Sequence, residues 1–171
     1  KVKDEFMVSF YSDTDSQTGK VQIGGIDKSL IDESSKVILP FNAYPAVQYL
    51  WTTSLQSFDL DGKDFGSRLS YFGIDSGSSA MKGDSIAMAS ALSYAVQTKK
   101  ATGKYPNMNL QMGTLEATGK TAKLVVTSDQ YVPLIDQGDK AGQYVPQIQT
   151  LGGVDSLVIQ GSTLMNSVYS V

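Results

Sequence analysis

Residues 5–11 (EFMVSFY) and 21–23 (VQI) are short runs of apolar, β-branched and aromatic residues, with the turn-rich stretch 12–20 between them. That pattern predicts a β-hairpin. Gly24-Gly25 ends it, as at a turn needing positive φ. The run 37–41 (VILPF) predicts a further short strand, with Pro40 marking an edge or a strand end. Residues 46–60 mix apolar and polar positions, among them Tyr49, Trp51, Ser54, Leu55 and Phe58, in the manner of one long strand that faces a core unevenly. Asp61-Gly62 predicts a tight hairpin turn after it.

After Gly77 the period changes. Ile86, Ala89, Leu92, Tyr94, Ala95 and Val96 recur at roughly helical intervals, with Asp84 or Ser85 placed as the N-cap, and this is the one helix the spacing predicts. Strand-like runs resume at 108–112, 122–127, 144–148, 157–159 and 168–171. The fold class expected is all-β, mainly strands with one or two short helices, with no internal repeat and no low-complexity linker.

Composition narrows the chemistry. A chain of 171 residues suits one domain spanning residues 1–171. The net charge is -3 with no run of basic residues, so nucleic acid is not an expected partner. The most continuous apolar stretch, 86–96, contains two serines and is too short to cross a bilayer, so no membrane segment is expected. Cysteine and histidine are both absent, which removes disulfides, thiolate and imidazole metal sites, and Ser-His-Asp or Cys-His catalysis within this chain. No metal and no cofactor are expected, and any catalysis falls to carboxylates, hydroxyls, Lys or backbone groups. Starting at Lys1 without a visible signal peptide or an initiator Met, the sequence reads as a processed or excised piece.

Three motifs are weaker than they look. Residues 113–121 (GTLEATGKT) resemble a phosphate-binding loop, but five residues separate the glycines where four are needed, and the following AKLVVTS alternates like a strand. Asp13 and Asp15, and again Asp59, Asp61 and Asp64, lack the spacing and the closing Glu of a calcium loop. Gly24-Gly25-Ile26-Asp27 lacks dinucleotide-site spacing.

Asp75 is different. It follows the apolar run 71–74 (YFGI) and precedes Ser76, Gly77, Ser78 and Ser79, so a carboxylate leaves a buried strand into a turn of small residues. Such a placement is costly unless hydrogen bonds surround the charge, and costly placements are often functional ones.

Residues 72–79 (FGIDSGSS) resemble the active-site loop of the pepsin-like aspartic proteases, in which apolar residues lead into Asp-Thr/Ser-Gly-Thr/Ser-Ser. Further segments resemble that family's C-terminal lobe and come in its order: 6–11 with 19–27 (GKVQIGGID), Leu39-Pro40, Trp51, 58–62, 106–113 (PNMNLQMG), 127–131 (TSDQY), 158–165 (VIQGSTLM) and Val168-Tyr169. The resemblance covers nearly the whole chain. It implies the six-stranded type of orthogonal sheets or barrel found in a pepsin-like lobe. It further implies that this chain is the C-terminal catalytic lobe of a two-lobed enzyme, with the N-terminal lobe and its tyrosine-bearing flap absent.

By that resemblance Asp75 is one of two catalytic aspartates. Two carboxyls held side by side share a proton and titrate as a pair; the ionised one takes a proton from a water that attacks the peptide carbonyl, and the protonated one donates to its oxygen. Ser76, Gly77, Ser78 and Gly161 would support the loop, and Gly77, Ser78, Ser79 and Ile159 would meet the substrate. The implied partners are the N-terminal lobe and a peptide or protein substrate, while a homodimer of lobes is less favoured because the flap is missing. The implied location is secreted or an acidic vesicle, lysosome or vacuole.

The chain departs from the family pattern in places. Gln160 stands where an apolar residue is usual, Ser162 where Asp is usual, and Lys82-Gly83-Asp84 where Gly-Pro is usual, the last read as surface variation. Gln143-Tyr144 lies where a disulfide cysteine is expected. The changes at Gln160 and Ser162 leave open an alternative, a catalytically inactive homologue that binds peptides or a partner protein.

Overall fold

The computed structural model describes residues 7–13, 18–34, 36–113, 121–166 and 168–171. At the start, β1 (Val8–Asp13) pairs antiparallel with β2 (Thr18–Ile23), so the expected hairpin forms, and Gly24 leaves it at φ 74. The next strands in the chain are β3 (Thr52–Leu60), β4 (Lys63–Asp64), β5 (Tyr71–Ile74) and β6 (Met81–Gly83). After them come α1 (Ser85–Thr102), β7 (Met108–Met112), β8 (Ala122–Val126), α2 (Ser128–Tyr131), β9 (Ile148–Thr150), β10 (Leu157–Gln160) and α3 (Ser162–Met165).

The mainly β class is as expected. Among the described residues the strands after the hairpin form one eight-stranded sheet in the order β8-β7-β3-β5-β10-β6-β9, with β4 on β3. Very short strands such as β4 and β6 join this sheet without leaving an alternation pattern in the sequence. Its centre sets the site: β10 lies between β5 and β6, parallel to the first and antiparallel to the second. The chain from β5 to β6 must consequently cross the end of β10.

Successive residues of β10 serve two cores, since side chains alternate across a strand. Val158 joins the large cluster that includes Phe58, Phe72, Met81, Met88 and Leu110, whereas Leu157 and Ile159 pack with Tyr44, Val47 and Leu50 on the other face. On α1 the buried stripe is Ala87, Met88, Ala91 and Ala95, offset from the larger apolar residues, and Ile86 is exposed. Three alanines there let the helix approach the sheet closely. Asp84, not Ser85, is the N-cap, accepting from the Ile86 and Ala87 amides at 3.0 Å each. The helix ends at Gly103, at φ 78, a left-handed conformation that glycine adopts without strain.

Several expected strands are corrected. Only 52–60 of the long strand expected over 46–60 is extended; before it Val47 donates to the Tyr44 carbonyl and Leu50 to that of Val47. These turns place Tyr44, Val47 and Leu50 together on the small core. Residues 37–41 form no strand. The strand expected at 144–148 is shifted to Ile148–Thr150, with Tyr144 in a single bridge to Leu134, and 168–171 contributes only the bridge of Ser170 to Phe10. The short helices α2 and α3 were not predicted by the spacing.

Lys82-Gly83-Asp84 is not surface variation either: Gly83 and Asp84 are buried, and a Cβ on Gly83 would lie 2.3 Å from the Leu157 carbonyl oxygen. In the phosphate-loop look-alike, residues 114–120 lie outside the described residues, but Met112 pairs antiparallel with Ala122 across them. Asp15 also lies outside the described residues. The Asp59, Asp61 and Asp64 carboxylates accept from the Gly62, Asn107 and Gly66 amides, the work of turn residues.

Candidate active site

Asp75 is the first residue beyond β5, and its amide extends the parallel pairing by donating to the Gln160 carbonyl at 3.0 Å. The backbone then turns sharply, with the Ser78 amide donating to the Asp75 carbonyl at 3.1 Å. Within this turn both carboxylate oxygens are held: Gly77 N–H donates to Oδ1 at 3.0 Å and the Ser78 hydroxyl to Oδ2 at 2.7 Å. Asp75 remains half-buried and Ser78 is buried, while Ser76 and Gly77 are exposed at the tip. A Cβ on Gly77 would stand 3.2 Å from Asp75 Oδ1, so the glycine serves the close approach of its own amide to the carboxylate.

Behind this loop sits Gly161. A Cβ there would lie 1.8 Å from the Ser78 carbonyl oxygen, an overlap no side chain could relieve, so the loop rests directly on bare backbone. The following residues grip it: the Ser162 amide donates to the Ser78 carbonyl at 2.8 Å, and the Thr163 and Ser162 hydroxyls donate to the Ser79 carbonyl at 2.7 and 3.3 Å.

Of the residues singled out in the sequence, Asp75, Ser76, Gly77, Ser78, Ser79 and Gly161 thus come together. Ile159 is set apart, 7% exposed and packed in the small core with Leu157 and Tyr44. Thr163 was missed; the signal available was a hydroxyl two residues beyond a glycine in a strand-to-helix turn. Trp51, expected in a strand and among the segments that resemble the family, lies before β3 and is 76% exposed, and its carbonyl accepts from the Ile74 amide next to Asp75. Its ring meets Phe41 edge-on at 6.0 Å, and Ile38 and Tyr49 are also largely exposed.

The aspartate thus has both oxygens held by its own Asp-Ser-Gly-Ser turn, and the turn rests on a glycine in a neighbouring strand-helix junction. The model of the eukaryotic aspartyl protease family matches residues 1–171, the entire sequence, and the chain belongs to that family. No individual curated protein matches it significantly. Among the described residues no helix is long and apolar enough to cross a membrane.

Proposed function

We propose that this chain is the C-terminal lobe of an aspartic endopeptidase, made as a zymogen and working in a secreted or acidic-vesicle setting, and that Asp75 is its half of the catalytic pair. What carries the proposal is the hold on Asp75: two donors from the loop fix the carboxylate plane, while the half-exposed position leaves it open to a facing group. A second carboxyl from an N-terminal lobe would sit opposite. One proton shared between them leaves one partner to accept a proton from a water as it attacks the peptide carbonyl, and the other to donate to the carbonyl oxygen. The proton and the nucleophile come from water and carboxyls alone.

The exposed Trp51, whose carbonyl accepts the Ile74 amide and whose ring meets that of the exposed Phe41, supports a covered cleft face, since apolar side chains gathered at the surface often meet a partner or a ligand. Ser79 at the loop and the exposed Gly77 are the backbone positions offered to a peptide. The test is cleavage of a denatured protein across acidic pH by the full-length protein and its Asp75→Asn variant, which keeps the shape and removes the charge. Cleavage by the wild type and a loss of about three orders of magnitude or more in the variant is the expected outcome, the scale seen when a group essential to the chemistry is removed. No cleavage by folded, processed wild type would favour a peptide-binding homologue, and equal cleavage by both would place the active site elsewhere.

A further inference from the structure

We propose that Thr163 is a positioning residue for Asp75, acting through the Ser79 carbonyl; the assignment rests on Asp75 being half of a catalytic pair. Because β10 separates β5 from β6, the loop joining them leaves the sheet and crosses the end of β10, where it loses the strand-to-strand ladder that fixes its neighbours. Other contacts must hold it. The Ser78 carbonyl lies on Gly161 and accepts the Ser162 amide, and the next carbonyl, that of Ser79, accepts among the described residues from two side-chain hydroxyls.

Of those two side chains, Thr163 makes the shorter bond, 2.7 Å against 3.3 Å for Ser162, and is only 6% exposed, so water does not compete for the contact. Thr163 stands in the first turn of α3, with no earlier helical turn to bond back to, and its hydroxyl reaches across to a loop 84 residues away in sequence. From Thr163 the link to the carboxylate is short: Thr163 hydroxyl to Ser79 carbonyl, one peptide unit to Ser78, Ser78 hydroxyl to Asp75 Oδ2. A loop freed at Ser79 lets Ser78 drift, and with it the oxygen that must face the second carboxyl.

The experiment compares Thr163→Val, Thr163→Ser and Asp75→Asn in the full-length protein, recording kcat and KM on a peptide substrate and amide hydrogen exchange at Gly77 and Ser78. Valine keeps the shape and removes the hydroxyl; serine keeps the hydroxyl. Thr163→Val is expected to lower kcat by about tenfold or more with KM within about twofold, as small misplacements of reacting groups do. Exchange at Gly77 and Ser78 should quicken in the same variant, and Thr163→Ser should restore both. Unchanged kcat and exchange in Thr163→Val overturns the proposal, as does a loss that serine fails to restore. Should the valine variant not fold, Thr163→Ser still decides, because a large loss of kcat there would show that the hydroxyl is not what matters. If Asp75→Asn abolishes cleavage while Thr163→Val is silent, only the positioning role fails; if Asp75→Asn is fully active, the catalytic reading fails, and exchange still reports whether Thr163 holds the loop.

Discussion

Gln160 is fully buried, and among the described residues neither its amide nitrogen nor its amide oxygen finds a hydrogen-bond partner. Its backbone carbonyl, by contrast, accepts the Asp75 amide. A buried polar group left unsatisfied costs about 1–3 kcal/mol, so the side chain weakens the fold at the point where its backbone supports the site. Gln160→Leu, of similar length and apolar, is expected to stabilise the protein by about 1–2 kcal/mol, seen as a raised midpoint in denaturant unfolding. A lower midpoint would show that the amide makes contacts that matter. At this scale the sequence exposed the anomaly, because Gln stands out in an apolar run, but it could not show that Gly161 beside it was sterically compulsory. That required the Ser78 carbonyl, which comes from a segment more than eighty residues earlier.

Among the elements, α1 shows how one buried carboxylate ties a helix to the sheet. Asp84 caps it and also accepts from the Arg68 guanidinium at 3.3 Å and the Ser156 amide at 3.4 Å. Burial pushes this carboxyl up, but the hydrogen bonds from Ala87, Arg68 and Ser156, with the Arg68 charge, outweigh it and hold the group below the usual carboxylate value. A depressed folded value adds stability above the ordinary carboxylate pKa of about 4, and this is lost as pH falls through the folded value. Asp84→Asn keeps an acceptor for the cap and removes the charge. It is expected to destabilise by about 1–2 kcal/mol at neutral pH, with the gap narrowing as the solution is acidified below about pH 4. Denaturant unfolding at stepped pH reads both, and a gap constant down to pH 3 would show that the charge contributes nothing. The cap was legible because Asp before a helical period is a local signal. The turns over 44–50 were not: their apolar residues face one small core through tertiary contact, and the mixed pattern reads equally as a strand.

At the scale of the whole molecule, the face around Asp75 carries the exposed loop tip Ser76-Gly77. Trp51, the only tryptophan in the 171 residues, stands 76% exposed there. If a second lobe covers this face, Trp51 emission should be that of a water-exposed indole in the isolated chain. In the full-length protein it should move to shorter wavelength, read as the difference from Trp51→Phe. An unshifted emission would mean that the patch stays in water and that the cleft lies elsewhere.

The sequence by itself determined the family, the Asp75 loop, the first hairpin and the capped helix, because each is written in neighbouring residues whose chemistry acts over a few positions. Only the tertiary structure decided that β10 enters between β5 and β6, that Gly161 must lack a side chain, that Gly83 and Asp84 are interior, and that Thr163 reaches the Ser79 carbonyl. Those outcomes depend on pairing strands far apart in the chain. Such pairing leaves no period in the sequence, since the partner that gives each residue its role is supplied from elsewhere.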